Sequence, residues 1–271
     1  MINFTVLLSV YKNEKPEYLN DAIESILYQT TPPNEVVLVK DGELSNALNA
    51  IIEHWFNAYS SIIKVVSLSS NVGLGSALNE GLKHCSYDWV FRMDTDDICT
   101  PDRFNKQLSY IDLHPDIVLL GSCIEEFDST MTVSLGYRNV PATSSDISLY
   151  AKKRNPFNHV TVAFNKEIIQ HVGGYQHHLY MEDYNLWIRV IAAGYKVANL
   201  QDCLVRVRSG DSMVKRRKGI TYIKSELQLA KLKIEKKIDS PVNAYTNFIM
   251  RSIPRLLPTS ILSMLYKKLR K

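Results

Sequence analysis

Apolar and polar positions alternate along the first hundred residues between two periods. Residues 4–10, Phe4-Thr5-Val6-Leu7-Leu8-Ser9-Val10, are a nearly unbroken apolar run of strand length, the pattern of a strand covered on both faces. Behind it Leu19, Ala22, Ile23, Ile26 and Leu27 recur at helical spacing and predict an amphipathic helix over 16–29. The same pair repeats: strand-like 35–40, helical 47–59, strand-like 62–68, helical 74–84, then strand-like 87–93. Apolar strands separated by helices of this length predict an α/β fold with a mostly parallel sheet flanked by helices. In such sheets ligands bind beyond the C-terminal ends of the strands. Asp41-Gly42, Asn71 and the run Asp94-Thr95-Asp96-Asp97 each follow a strand, so they are predicted to share one edge.

That acidic run carries the most chemistry. Three carboxylates within four residues repel one another, and burying them is costly unless a cation neutralises them. One reading is a divalent metal holding a diphosphate. The other is a solvated acidic turn in which Asp97 caps a helix with Pro101 in its first turn.

Composition narrows the class. With 271 residues, 45% hydrophobic and 22% charged, the chain is an ordinary globular one with material for a large core. The net charge is +4, with acids mainly before position 185 and cations crowded after 205. Cys85, Cys99, Cys123 and Cys203 show no C-x-x-C spacing, which predicts free thiols in a reducing compartment rather than zinc ligands. The run 4–10 has no basic residue before it and is too short for a signal peptide or a membrane span. A cytoplasmic protein is the expectation.

Five separated motifs in order, Ser9-Val10-Tyr11-Lys12-Asn13-Glu14, Ser25 to Thr30, Asp41-Gly42, Asn71-Val72-Gly73-Leu74 with Ala77-Leu78-Asn79 and Gly81, and Asp94 to Asp97, resemble family 2 glycosyltransferases over residues 3–210. The resemblance implies the GT-A fold, a nucleotide-sugar donor and inversion at the transferred sugar. It also implies an acidic pair opening a helix in the second half, supplied here by Glu182-Asp183 in Met181 to Arg189. Many relatives have a further acid where this chain has Asn185, so the catalytic role falls on Glu182 or Asp183.

Roles then follow by resemblance. Asp41 accepts the uracil N3 proton, or is a turn residue before Gly42. Ser9 and Tyr11 floor the base and ribose, with Glu14 near the ribose; Tyr11 could equally be core. Asn71 and Gly73 approach the nucleotide with bare backbone N–H groups, or merely cap a helix. Asp94 contacts ribose or donor sugar, and Asp96 binds Mn²⁺ or Mg²⁺, while Arg92 supports them. Asp183 is the base and Glu182 an orienting group, unless both only favour a helix N-terminus. Trp187 and His159 line the acceptor site or fill the core.

The last third is basic. Arg206, Arg208 and Lys215 to Lys218 surround residues 209–212, a loop placed to fold over the donor diphosphate or a solvated charged turn. A helix is predicted over 220–238. Residues 254–271 mix apolar and basic side chains and suit an anionic membrane surface, or packing against the protein. The expected division is a catalytic domain over 1–210, with a nucleotide-binding half 1–98 and an acceptor half 99–210, and a helical extension over 211–271. Bacterial relatives of this size point to a UDP-hexose donor, UDP-galactose or UDP-glucose, and an undecaprenyl diphosphate-linked acceptor on the inner face of the membrane. A nucleotidyltransferase is disfavoured because no glycine-rich loop follows the first strand, and nucleic acid because no aromatics interleave the basic tail.

Overall fold

The computed structural model describes residues 2–209 and 219–256. The chain runs β1 (Phe4–Val10), α1 (Pro16–Leu27), β2 (Glu35–Lys40), α2 (Asn46–Ala58), β3 (Ile63–Ser67), α3 (Leu74–His84) and β4 (Trp89–Arg92). Then follow β5 (Ile98–Cys99), α4 (Arg103–Leu113), β6 (Ile117–Phe127), β7 (Ser134–Arg138), α5 (Ser144–Ala151), β8 (Ala163–Asn165) and α6 (Lys166–His171). The last elements are α7 (Glu182–Ala192), β9 (Lys196–Arg208), α8 (Ile220–Glu235) and α9 (Pro241–Ser252). Pro16, whose fixed φ suits a first turn, starts α1, and the Ser45 hydroxyl accepts the Leu48 N–H at the start of α2.

All strands join one nine-stranded sheet in the order β3-β2-β1-β4-β8-β6-β9-β5, with β7 paired to β6. β1 pairs in parallel with β2 and β4, and β2 with β3. Antiparallel pairs enter only with the second half, β4 with β8, β8 with β6, β7 with β6 and β5 with β9, while β6 and β9 are parallel. The chain leaves β1 toward β2 and β3, then returns to the other side of β1 as β4. The crevice beyond β1 and β4 is therefore the switch point where α/β sheets take ligands.

Alternate side chains of one strand feed opposite faces of the sheet. Phe4, Val6, Leu8 and Val10 join a core with α1, α2 and α4, whereas Leu7, Val37 and Val39 join a second with α3 and α7. Gly81 lets α3 lie close on that second face, since a Cβ there would come within 2.5 Å of Leu7 Cδ1. A third cluster, with Ala151, Met181, Tyr184, Ile188, Tyr222 and Leu229, joins α7 to α8.

Two local expectations change. Asp97 caps no helix: β5 intervenes, and α4 begins at Arg103. His159 does not open a strand but a short 3-10 turn, His159–Thr161, with the strand following at Ala163. The four cysteines are free thiols. Among the described residues no helix is long and apolar enough to cross a membrane. Most of the basic stretch 209–218, and residues 257–271 of the basic apolar tail, lie outside the described residues.

Candidate active site

β4 ends at Arg92, and the chain turns outward at the crevice. One carboxylate oxygen from each of Asp94, Asp96 and Asp97 lies within 4.8 Å of the others. Burial, with the charges of Asp94 and Glu14, pushes the Asp96 carboxyl up to about 7, and burial with Asp96 and Asp94 pushes Asp97 well above the usual range. Such mutual destabilisation is what a divalent cation relieves, and an all-oxygen donor set fits a hard ion such as Mn²⁺ or Mg²⁺. Asp97 Oδ1 already accepts the Arg208 N–H at 2.8 Å, and Arg208 also donates to the Asp96 carbonyl at 2.8 Å and to Asp21 at 2.6 Å. Asp97 thus ties the end of β9 to the run, leaving Asp94 and Asp96 as the more open carboxylates. Glu14 reaches in from the β1 side and accepts the Thr95 hydroxyl at 2.7 Å.

Arg92 lies beneath this cluster, fully buried. It donates to Asp94, while its Nε and Nη1 have no partner. Burial opposes its charge, but the carboxylates of Asp94 and Asp97 outweigh that cost and hold it protonated. Arg103, also buried, fixes the strand end by donating to the Arg92 carbonyl at 2.8 Å.

On the other side of β1, Asp41 follows β2. Its Oδ1 accepts the Val72 N–H at 2.7 Å, and Oδ2 accepts the Asn71 amide at 2.9 Å and the Gly73 N–H at 3.2 Å. Gly42 has φ +85, and a Cβ there would meet the Asn71 nitrogen at 2.7 Å. Residues 41–42 and 71–73 therefore form one rigid cradle at the start of α3. A carboxylate offers about four lone-pair directions, so Asp41 retains one for a ligand donor. Asn71 braces the cradle through Asp41. Ser9 is half-buried at the end of β1, and Tyr11 just beyond it is 44% exposed, which removes the core alternative for Tyr11.

α7 brings the second acidic group. Gly75, in the first turn of α3, abuts its start: a Cβ there would lie 3.3 Å from Tyr175 Cβ and 3.6 Å from Glu182 Cβ. Asp183 Oδ2 accepts the Asn155 amide at 2.7 Å. Burial pushes the carboxyls of Glu182 and Asp183 up; Asn155, Arg138 and Arg92 pull Asp183 back toward ionisation. Burial also raises the Tyr175 hydroxyl, and the charges of Asp183, Glu182 and Asp94 raise it further. Tyr175 thus feels the charge of both acidic groups. His159 shares a 2.8 Å hydrogen bond with Tyr175, and burial beside Arg92 keeps its imidazole neutral. Asn185 is buried, accepting from Arg189 Nε at 2.8 Å and reaching His178 at 3.2 Å. The position without the further acid is thus a bracing position inside the protein.

Of the two readings of Trp187, acceptor wall or core, the structure selects the core. Trp187 is fully buried, its ring 5.5 Å from Phe157 and 6.0 Å from His159, and it presents no surface to an acceptor. It is core because α7 turns this face toward the sheet. Sequence reasoning missed Asn155 and Tyr175. The Asn155-Pro156 pair signals a turn, but its aim at Asp183 arises from a contact 28 positions apart.

The family model described as Glycosyl transferase family 2 matches residues 5–175. The amylovoran biosynthesis glycosyltransferase AmsE of Erwinia amylovora is 46% identical over 268 residues, covering 99% of each chain. The UDP-Gal:alpha-D-GlcNAc-diphosphoundecaprenol beta-1,3-galactosyltransferase of Escherichia coli is 38% identical over 265 residues, covering 98% of this chain and 95% of its own. Among solved structures, the mannosyltransferase PcManGT from Pyrobaculum calidifontis, in complex with GDP-Man and Mn²⁺, superposes with a TM-score of 0.65 at 16% identity, covering 98% of this chain and 80% of its own. Crevice, carboxylates and relatives agree: the chain belongs to glycosyl transferase family 2 and is a GT-A glycosyltransferase.

Proposed function

We propose that this enzyme transfers a hexose, with inversion, from a UDP-sugar to an undecaprenyl diphosphate-linked sugar, forming a β-linkage during O-antigen or exopolysaccharide assembly. The observation that carries the reading is the pair of acidic groups the fold builds: Asp94, Asp96 and Asp97 gathered within 4.8 Å after β4, and Asp183, held by Asn155, at the start of α7. A donor and an acceptor need two such groups. The two relatives, in amylovoran synthesis and in galactose transfer to a diphosphoundecaprenol-linked sugar, support the acceptor class and make UDP-galactose the favoured donor, with UDP-glucose next. The same reading puts the enzyme at the cytoplasmic face of the membrane.

The 41–42 and 71–73 cradle takes the nucleoside, with the free lone pair of Asp41 meeting the base and Ser9, Tyr11 and Glu14 beside base and ribose. Asp94, fixed by Arg92, orients the donor sugar or ribose. Asp96, with Asp94, would hold Mn²⁺ or Mg²⁺, which spreads the charge of the departing diphosphate. Asp183 removes the proton of the attacking acceptor hydroxyl, Asn155 keeping its carboxylate aimed. Glu182, one residue away and about 100° around the helix, orients the acceptor, and the neutral His159 holds Tyr175 as a wall between the two substrates.

The test is a binding and hydrolysis screen of nucleotide sugars on purified protein with Mn²⁺, with Mg²⁺ and with chelator, repeated on Asp183→Asn. Metal-dependent selection of one UDP-sugar is expected, and the variant should bind that donor normally yet lose transfer by at least about 100-fold. No binding of any UDP-sugar would overturn the reading; loss of donor binding in the variant would overturn the assignment of the base.

A further inference from the structure

α9 turns apolar side chains outward. Ala244 and Ser252 are buried and Asn243, Asn247, Phe248 and Arg251 partly so, while Val242 is 79% exposed, Tyr245 41%, Ile249 55%, Met250 65% and Ile253, just past its end, 58%. Val242, Tyr245, Ile249, Met250 and Ile253 share one helical face, with Thr246 as its polar member, its hydroxyl turned back to the Val242 carbonyl at 2.8 Å. An exposed, largely apolar face of this size marks a contact surface. The inward polar groups are accounted for, because Arg251 makes a paired bond to the buried Glu226 and donates to the Lys153 carbonyl at 2.7 Å, and Asn243 binds Asp239.

Charge identifies the partner. Residues 241–256 contain no acidic side chain, and the fifteen residues that follow contain Lys267, Lys268, Arg270 and Lys271 and no acid. Beside α9, held by the bonds from Arg251 and Asn247 to its carbonyls, lies the turn Lys152-Lys153-Arg154, none of whose cations has a carboxylate partner among the described residues. An apolar helix face rimmed by cations and free of acids is complementary to an anionic lipid surface. A second copy of the chain would set those cations against one another.

We propose that the outward face of α9, with Lys152, Lys153 and Arg154 at its rim, docks on an anionic bilayer. The inference deepens the reading of a lipid-linked acceptor and rests on it. It also explains a juxtaposition, because the cationic turn runs directly into Asn155, which holds the base Asp183. Docking there would bring the segment that leads to Asn155 close to the surface that carries a lipid diphosphate head group.

Full-length protein is floated with phosphatidylcholine vesicles lacking or containing phosphatidylglycerol, at low and high salt, while UDP-sugar hydrolysis is measured separately. The wild type should float only with the anionic vesicles and less so at high salt. The paired variant Ile249→Asp/Ile253→Asp, and separately Lys153→Glu/Arg154→Glu, should each weaken flotation at least about tenfold, with hydrolysis and far-UV circular dichroism unchanged. Flotation of both variants equal to wild type would overturn the proposal and assign any binding to the residues after 256. A wild-type dimer that Ile249→Asp/Ile253→Asp converts to monomer, with no vesicle binding, would overturn it in favour of a second copy. If wild-type protein floats and the variants do not, yet no nucleotide sugar is turned over, the docking surface stands and the transfer reading fails.

Discussion

In its proposed role as base, Asp183 shows how a single residue sets the chemistry. A base must be ionised to act, so burial, which lifts its carboxyl above the ordinary value near 4, moves the acid limb of kcat/KM upward in pH. The Asn155 amide opposes that lift by donating to the charged form at 2.7 Å. Asn155→Ala removes a donor that favours ionisation. The acid limb should therefore move further up, by about one pH unit, with donor KM unchanged. Rate profiles of wild type and variant in the same buffers check this; an unmoved limb would mean that a different group titrates. Arg92 acts on a wider radius, because its charge holds Asp94 in place and favours ionisation of Asp183 from the same buried position.

At the scale of elements, α8 is bolted to the helix that carries Asp183. Lys233 of α8 donates to the Tyr184 hydroxyl and to the Lys152 carbonyl, both at 2.9 Å, and Tyr184 adjoins Asp183. Burial, with Arg251 nearby, lowers Lys233 from the ordinary value near 10.5 to about 7. Because the folded pKa lies below the unfolded one, the unfolded chain binds the extra proton between these values, and stability from this site rises as pH rises from about 7 toward 10.5. Urea midpoints measured from pH 7 to 9.5 should therefore climb for wild type relative to Lys233→Met. A constant difference would mean that the lysine stays charged when folded. The elements themselves were legible in the sequence to different degrees. The first four strands and three helices come within about two residues of the hydrophobic pattern, because each is covered on both faces or has one wide apolar stripe. β5 and β8 have two and three residues and no period to read, and β7 is mostly exposed. The site divides the same way. Asp41, Asn71 and Asp94 to Asp97 follow strands and are located by the fold rule, whereas Asn155 and Tyr175 reach the crevice through tertiary contacts that no local pattern encodes.

On the scale of the whole molecule, the crevice holds charge that the fold alone does not neutralise. Asp94, Asp96 and Asp97 crowd their oxygens within 4.8 Å with Glu14 adding its charge, and the buried Arg92 beneath them binds Asp94 directly. Such a site lowers the stability of the metal-free protein in return for affinity, the trade expected where function needs like charges held together. Asp96→Asn removes one of the repelling charges while keeping nearly the same shape. At pH 8, above the value of about 7 to which the Asp96 carboxyl is pushed, the metal-free variant should melt higher than wild type, by about 2–4 °C for each kcal/mol of repulsion relieved in a chain of this size. With saturating Mn²⁺ and UDP the order should reverse, because a ligand that binds only the folded state adds about 2.7 kcal/mol at one hundred times its Kd, and the variant has lost the carboxylate that would hold the ion. Melting curves of both proteins with chelator, and with Mn²⁺ plus UDP, contain the whole test. A variant less stable than wild type in chelator would show that Asp96 is a bracing residue, and equal gains with Mn²⁺ and UDP in both proteins would remove it from the metal site.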